Sequence, residues 1–170
     1  MNPVQTEPSL FKRCWRHLWM SPWRLHRQFP ESVLAAITDS VRRSEQVHGG
    51  EIRVAIEGDL SLRALWQRVT PRQRALEVFA ALGVWDTEQR NGVLIYLCLA
   101  DKDVEVVADR GLADVSAEEW GAVCAQLERA AEAAAYQEAL CEAVQSVGQL
   151  IGRHYPQADR NQQPDRPVLF

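Results

Sequence analysis

The stretch Asn91-Gly-Val-Leu-Ile-Tyr-Leu-Cys-Leu-Ala-Asp-Lys-Asp-Val-Glu-Val-Val-Ala-Asp-Arg-Gly-Leu112 decides the fold. Gly92 to Leu99 carries no charge, the pattern of a central strand covered on both faces. Ala100 to Asp103 reads as a hairpin turn, and Val104 to Ala108 returns as an antiparallel partner. Upstream, Glu51 to Glu57 alternates Ile52, Val54 and Ile56 with Arg53, Ala55 and Glu57, which predicts a half-buried strand. Helical sequence separates this strand from the one at 92–99, so the two are expected to run parallel.

The helical segments follow from apolar spacing and end signals. Pro30 opens a helix to about Val47, with Val33, Leu34, Ile37 and Val41 inward, and Gly49-Gly50 stops it. Leu60 to Val69 is weakly helical. Thr70-Pro71-Arg72-Gln73 is a capped helix start, with Ala75, Val78, Phe79 and Leu82 on one face. Ser116 and Glu119 form a second capping box, ahead of Trp120, Val123, Cys124 and Leu127. A last helix spans about Tyr136 to His154, with Leu140, Ala143, Val144 and Val147 in its stripe.

With 170 residues, 46% hydrophobic and 25% charged, the chain is one globular domain with tails rather than a disordered polymer. The organisation expected is an arm at 1–29, a domain at 30–156 and a polar, Pro-rich disordered tail at 157–170. The net charge of −4 excludes a global nucleic-acid binder. Its distribution is uneven: residues 1–30 carry +4, whereas 101–145 carry −8. The four cysteines form no C-x-x-C pair and read as small core hydrophobes in a reducing compartment. Neither a secretory signal nor a run of roughly 20 apolar residues is visible. The expected location is cytoplasmic, with peripheral contact to the inner membrane through the arm.

In the arm, Ser9 is positioned to cap a helix from Leu10 to Met20. Phe11, Cys14, Trp15, Leu18 and Trp19 fall on its apolar face, and Lys12, Arg13, Arg16 and His17 on the other. Trp23, Leu25 and Phe29 continue in extended chain. Phe11, Trp15, Trp19 and Trp23 are candidates for contact with a membrane or partner, since tryptophans interleaved with bases suit an anionic lipid surface. The other reading packs Trp15, Trp19 and Trp23 on the domain's own flank or on a second copy.

The predicted topology gathers Glu51, Asn91, Gly92, Asp109, Arg110 and Gly111 at one end of the sheet. His48 and Asp86 approach from flanking loops. Oxygen ligands from Glu51, Asp86, Asn91 and Asp109 would suit Ca²⁺ or Mg²⁺, and Arg110 with Gly111 a phosphate or carboxylate. An inert ion pair of Arg110 with Glu51 or Asp109 is the alternative. At the other end lie Glu57, Asp59, Asp101, Lys102 and Asp103. Asp101-x-Asp103 there lacks the rest of an EF-hand loop and reads as a solvated turn. No G-x-S-x-G or P-loop is present, and the four histidines are scattered.

The order of these elements, with Gly50-Glu51-Ile52, Asn91-Gly92-Val93-Leu94 and Gly111-Leu112 after the hairpin, resembles the TPM domain family over about residues 30–156. Trp85-Asp86 and Ala108-Asp109-Arg110-Gly111 resemble its small bacterial branch, whose members often accompany LemA-type envelope proteins. The resemblance implies an α/β/α sandwich around a short mixed sheet, a divalent-metal site and an acid-phosphatase activity. Many relatives read Gly-x-Gly-Leu where this chain reads Asp109-Arg110-Gly111-Leu112. The plant branch's transit peptide and C-terminal membrane span are not expected. The function expected is a non-catalytic binding module for a membrane surface or envelope partner; the alternative is a metal-dependent phosphatase acting on phosphomonoesters.

Overall fold

A computed structural model describes residues 10–19, 22–132, 135–157 and 161–170. In chain order the elements are α1 (Leu10–Trp19), α2 (Pro22–Gln28), α3 (Glu31–Glu45), β1 (Glu51–Glu57), α4 (Leu62–Trp66), α5 (Pro71–Ala81), β2 (Gly92–Cys98), β3 (Asp103–Ala108), a 3₁₀ turn at Arg110–Leu112, α6 (Ala117–Glu132), α7 (Tyr136–His154) and β4 (Val168–Leu169). The expected cap at Ser9, the residue Met20 and the side chain of Phe11 lie outside the described residues.

The sheet order is β3-β2-β1-β4. β1 runs parallel to β2, with Glu51 opposite Gly92, and β3 pairs antiparallel with β2 through the hairpin, as the connections predict. β2 is buried along its whole length, in keeping with its uninterrupted apolar sequence. Ile52, Val54 and Ile56 of β1 and Val93, Ile95 and Leu97 of β2 meet α3, α6 and α7 in the larger core. The opposite face presents Ala55, Leu94, Tyr96, Cys98 and Val107 to Leu65 of α4 and to Ala75 and Val78 of α5. The result is an α/β/α sandwich with one thick and one thin helical layer.

Both predicted capping boxes form. Thr70 Oγ1 accepts from Gln73 N–H at 3.2 Å, and Gln73 Oε1 from Thr70 N–H at 2.9 Å. At α6, Ser116 Oγ accepts from Glu119 N–H at 3.3 Å, and Glu119 Oε2 accepts from Ser116 N–H at 3.0 Å. All four cysteines are free. Burial pushes the Cys98 thiol up to about 12, the behaviour of a core residue rather than a reactive one.

Three expectations are corrected. First, β1 is buried on both faces, not one. Its polar side holds Glu57, which accepts a two-pronged ion pair from Arg74 at 2.9 Å and a hydrogen bond from Tyr96 Oη at 2.5 Å. Secondly, the tail expected to be disordered returns to the sheet. Val168 and Leu169 pair parallel with Ala55 and Ile56, and Arg53 donates to the Pro164 carbonyl. A buried guanidinium needs acceptors, and the tail backbone supplies one. Thirdly, residues 22–28 are helical rather than extended, and Leu25 and Phe29 enter the larger core.

Gly92 marks where the chain approaches itself most closely: a Cβ there would lie 2.0 Å from the Val84 carbonyl oxygen. Gly92→Ala is expected to lower stability by about 2 kcal/mol or more in urea unfolding, because backbone must shift to admit the methyl. Gly121→Ala, in the interior of α6 with open space around it, is expected to raise stability by about 1 kcal/mol.

Candidate functional site

The two ends of the sheet are built differently. At the end where β1 and β2 begin, Glu51 is buried and its carboxylate accepts from the backbone N–H groups of Gln162 and Gln163, at 2.9 and 3.2 Å. Asn91 is fully buried; its Nδ2 donates to the Gly49 carbonyl at 2.6 Å, and its Oδ1 has no hydrogen-bond partner among the described residues. Asp109 Oδ1 accepts from Arg110 N–H at 2.8 Å and so caps the 3₁₀ turn. Asp86 and Arg110 are exposed. Gly111 is enclosed: its N–H donates to the Arg90 carbonyl at 2.7 Å, and its own carbonyl accepts from Tyr155 Oη at 2.8 Å.

The predicted ligands therefore share one end of the sheet without forming one coordination shell. Among the described residues, no group of three or more His, Cys, Asp or Glu side chains could hold a metal ion. Asn91 Oδ1 is a spare oxygen, but the Glu51 carboxylate is engaged by the tail, so these residues as arranged do not fit a divalent cation. The amide of Gly111, expected to face an anion, is used internally. Neighbouring Glu45 accepts from Ile52 N–H at 2.8 Å. Burial pushes it up to about 8; the Ile52 N–H opposes that, and Glu51 and Asp165 add to it.

His48 lies beside this end, buried, with Nδ1 accepting from Gly50 N–H at 3.3 Å and Nε2 at 2.9 Å from Ser44 Oγ. An accepting Nδ1 puts the ring proton on Nε2, which therefore donates to the serine. A general base would offer a lone pair there instead. Burial also lowers the His48 pKa, so the neutral ring is favoured. Ser44 and His48 stand four apart at a helix end, a spacing legible in the sequence, yet this tautomer makes them a structural pair.

The other end of the sheet holds what the sequence reading missed. Asp101 is not a solvated turn residue. Arg13 Nε lies 3.1 Å from each of its oxygens, Arg13 Nη2 is 2.7 Å from Oδ2, and Arg16 Nη2 is 3.2 Å from Oδ1. Arg13 also donates to the Val69 carbonyl at 2.9 Å. His17, expected on the polar face of α1, is buried; its Nδ1 accepts from Leu60 N–H at 2.9 Å, and its Nε2 faces Asp101 Oδ1 at 3.1 Å. Burial alone would raise the Asp101 carboxyl, but the bonds and charges of His17 and Arg13 overturn that and hold it at about 2. Nearby Asp103 is pushed up to about 7 by burial and then by Glu105, Glu128 and Asp101. Arg13, Arg16 and His17 share one face of α1, which was the only local sign of this clamp.

The clamp seats α1 by its polar face and by Cys14, which packs on the smaller core. The tryptophans do not anchor the arm: Trp15, Leu18, Trp19 and Trp23 are 55%, 68%, 57% and 66% exposed. Trp15 and Trp19 lie 6.2 Å apart between ring centroids, Arg24 stacks over Trp19 at 5.8 Å, and Arg27 over Trp23 at 5.2 Å. Among the described residues, no helix is long and apolar enough to cross a membrane.

A family model described as the TPM domain matches residues 28–150. Among solved structures, the fold is similar to the NMR structure of the BA42 protein from the psychrophilic bacterium Bizionia argentinensis. The TM-score is 0.71 at 24% identity, over 82% of this chain and 93% of that one. The N-terminal domain of the cg2496 protein from Corynebacterium glutamicum matches with a TM-score of 0.45 at 19% identity, over 71% of this chain and 70% of that one. No functionally curated protein matches the sequence.

Asp101→Asn is expected to cost about 3 kcal/mol in chemical unfolding, since it removes the negative charge that Arg13 and Arg16 meet. Because the folded carboxyl titrates at about 2, below its unfolded value of about 3.9, its contribution is complete above pH ~4 and disappears as pH falls toward 2. Stability measured from pH 5 to 2 should show this loss in the native chain and a smaller one in Asp101→Asn. In the intact chain, Ca²⁺ or Mg²⁺ followed by amide NMR is expected to give no saturable shifts confined to Glu51, Asn91 and Asp109. Such shifts would revive the cation site.

Proposed function

The chain belongs to the TPM-domain family, and on that premise we propose that it is a non-catalytic binding module held at an anionic membrane surface by α1 and α2. The observation that carries this reading is the inversion of the arm. Its polar residues Arg13 and His17 face the protein, while Trp15, Leu18, Trp19 and Trp23 face outward. A helix that buried these residues for its own stability would be turned the other way. Leaving them in water is unfavourable in isolation, and an apolar patch rimmed by cations is the form taken by interfacial anchors. Arg24 over the Trp19 ring and Arg27 over the Trp23 ring place positive charge at the same level as the aromatics.

The phosphatase reading draws less support. Glu51 is committed to the tail, the Gly111 amide to Arg90, and the ring proton of His48 to Ser44. None of these groups is left to receive a proton, polarise a phosphoryl oxygen or stabilise charge developing on it.

Co-sedimentation with vesicles tests the proposal. The full chain is expected to bind vesicles containing phosphatidylglycerol, less so at high salt because the arginine contribution is screened. Trp15→Ser/Trp19→Ser/Trp23→Ser is expected to weaken binding by at least roughly tenfold with little change in melting temperature, since these side chains are exposed in the free protein. An unchanged partition coefficient in that variant would defeat the proposal.

A further inference from the structure

Exposed large hydrophobic side chains also occur beyond the arm. Leu62 and Trp66 of α4 are 67% and 83% exposed, and Trp66 is the most open of the large apolar residues described. They stand four apart on a five-residue helix whose Leu65 enters the smaller core. α4 packs against α1. Ser61 caps it, its Oγ accepting from Ala64 N–H at 3.2 Å, so the helix is held locally and owes nothing to the two exposed side chains.

Beside α4 the exposed Asp59 is followed by a stretch that carries only cations. Arg63 and Arg68 are exposed, and no acidic residue occurs from Leu60 to Leu76. Nor does one occur from Leu10 to Pro30, which contains the exposed Arg16, Arg24 and Arg27. Arg68 ends α4 with φ +55°, a left-handed conformation that glycine would adopt more easily. The acidic part of the chain, 101–145, lies chiefly on β3, α6 and the start of α7.

We infer that α4 is the second half of the lipid-facing surface, so that Leu62, Trp66, Arg63 and Arg68 enter the headgroup region of an anionic membrane together with α1 and α2. This rests on the membrane reading of the arm and extends it from a tether to an oriented face. α1 is fixed to Asp101 after β2 and to Leu60 after β1, so the end of the sheet where these strands finish lies toward the lipid. The end carrying Glu51, Asn91 and Arg110 lies away from it. An acidic protein surface could match the charge, but lipid is favoured by the mixture of three short helices, four exposed indoles and interspersed arginines.

The full chain and its Leu62→Ser/Trp66→Ser and Arg63→Glu/Arg68→Glu variants would be titrated with vesicles of phosphatidylcholine alone and with roughly one-third phosphatidylglycerol. The inference expects each variant to bind the anionic vesicles at least roughly tenfold more weakly than the native chain, with an unaltered circular-dichroism melt. If both bind as tightly as the native chain while the triple tryptophan variant fails, α4 is not part of the surface and the arm alone is the anchor. If the native chain binds neither vesicle, this inference and the membrane proposal fall together. Equal binding to neutral and anionic vesicles would overturn the role given to the arginines. Self-association in sedimentation velocity that Leu62→Ser/Trp66→Ser abolishes, without lipid binding, would make this face a contact between copies.

Discussion

β1 buries Glu51, Arg53 and Glu57 on one face of the central sheet, and the rest of the thin layer is arranged around meeting their needs. An unpartnered buried charge costs several kcal/mol, more than an ordinary apolar contact returns. Glu57 is met by Arg74 and Tyr96, which ties α5 to the sheet at a fixed place. Glu51 and Arg53 are met by backbone groups of residues 162–164, which brings the end of the chain across β1. Once there, Val168 and Leu169 complete the sheet edge.

The opposite end obeys the same rule with a different outcome. Asp101, at the turn after β2, is nearly buried and draws Arg13, Arg16 and His17 onto itself. This settles the orientation of α1. An amphipathic helix alone would bury its tryptophans, but the clamp occupies the polar face and leaves the aromatic face outside. The arm's exposed chemistry is thus a consequence of electrostatics inside the domain.

Much of the sandwich was legible in the sequence because it rests on local signals. The apolar run of β2, the hairpin, the capping boxes at Thr70 and Ser116 and the stripe from Leu140 to Val147 each identify an element without its neighbours. The crossover and hairpin connections then set strand direction. The alternation of β1 misled, because a polar face can be buried when partners arrive from 17 and 111 residues away. The tail's composition misled for the same reason: Gln162 and Gln163 contribute through backbone N–H groups, which leave no mark in residue type.

The candidate residues divide along that line. The sequence by itself determined that Glu51, Asn91, Asp109, Arg110 and Gly111 share one end of the sheet, because strand order and direction follow from periodicity and chain connection. It also determined that the arm is aromatic and basic. Only the tertiary structure decided that the Glu51 carboxylate is satisfied by the tail, that the Asp101 turn holds α1, and that α4, with Leu62 and Trp66 exposed, packs against α1. These depend on which distant groups meet in space, and the spacing within either partner does not say which group it will meet.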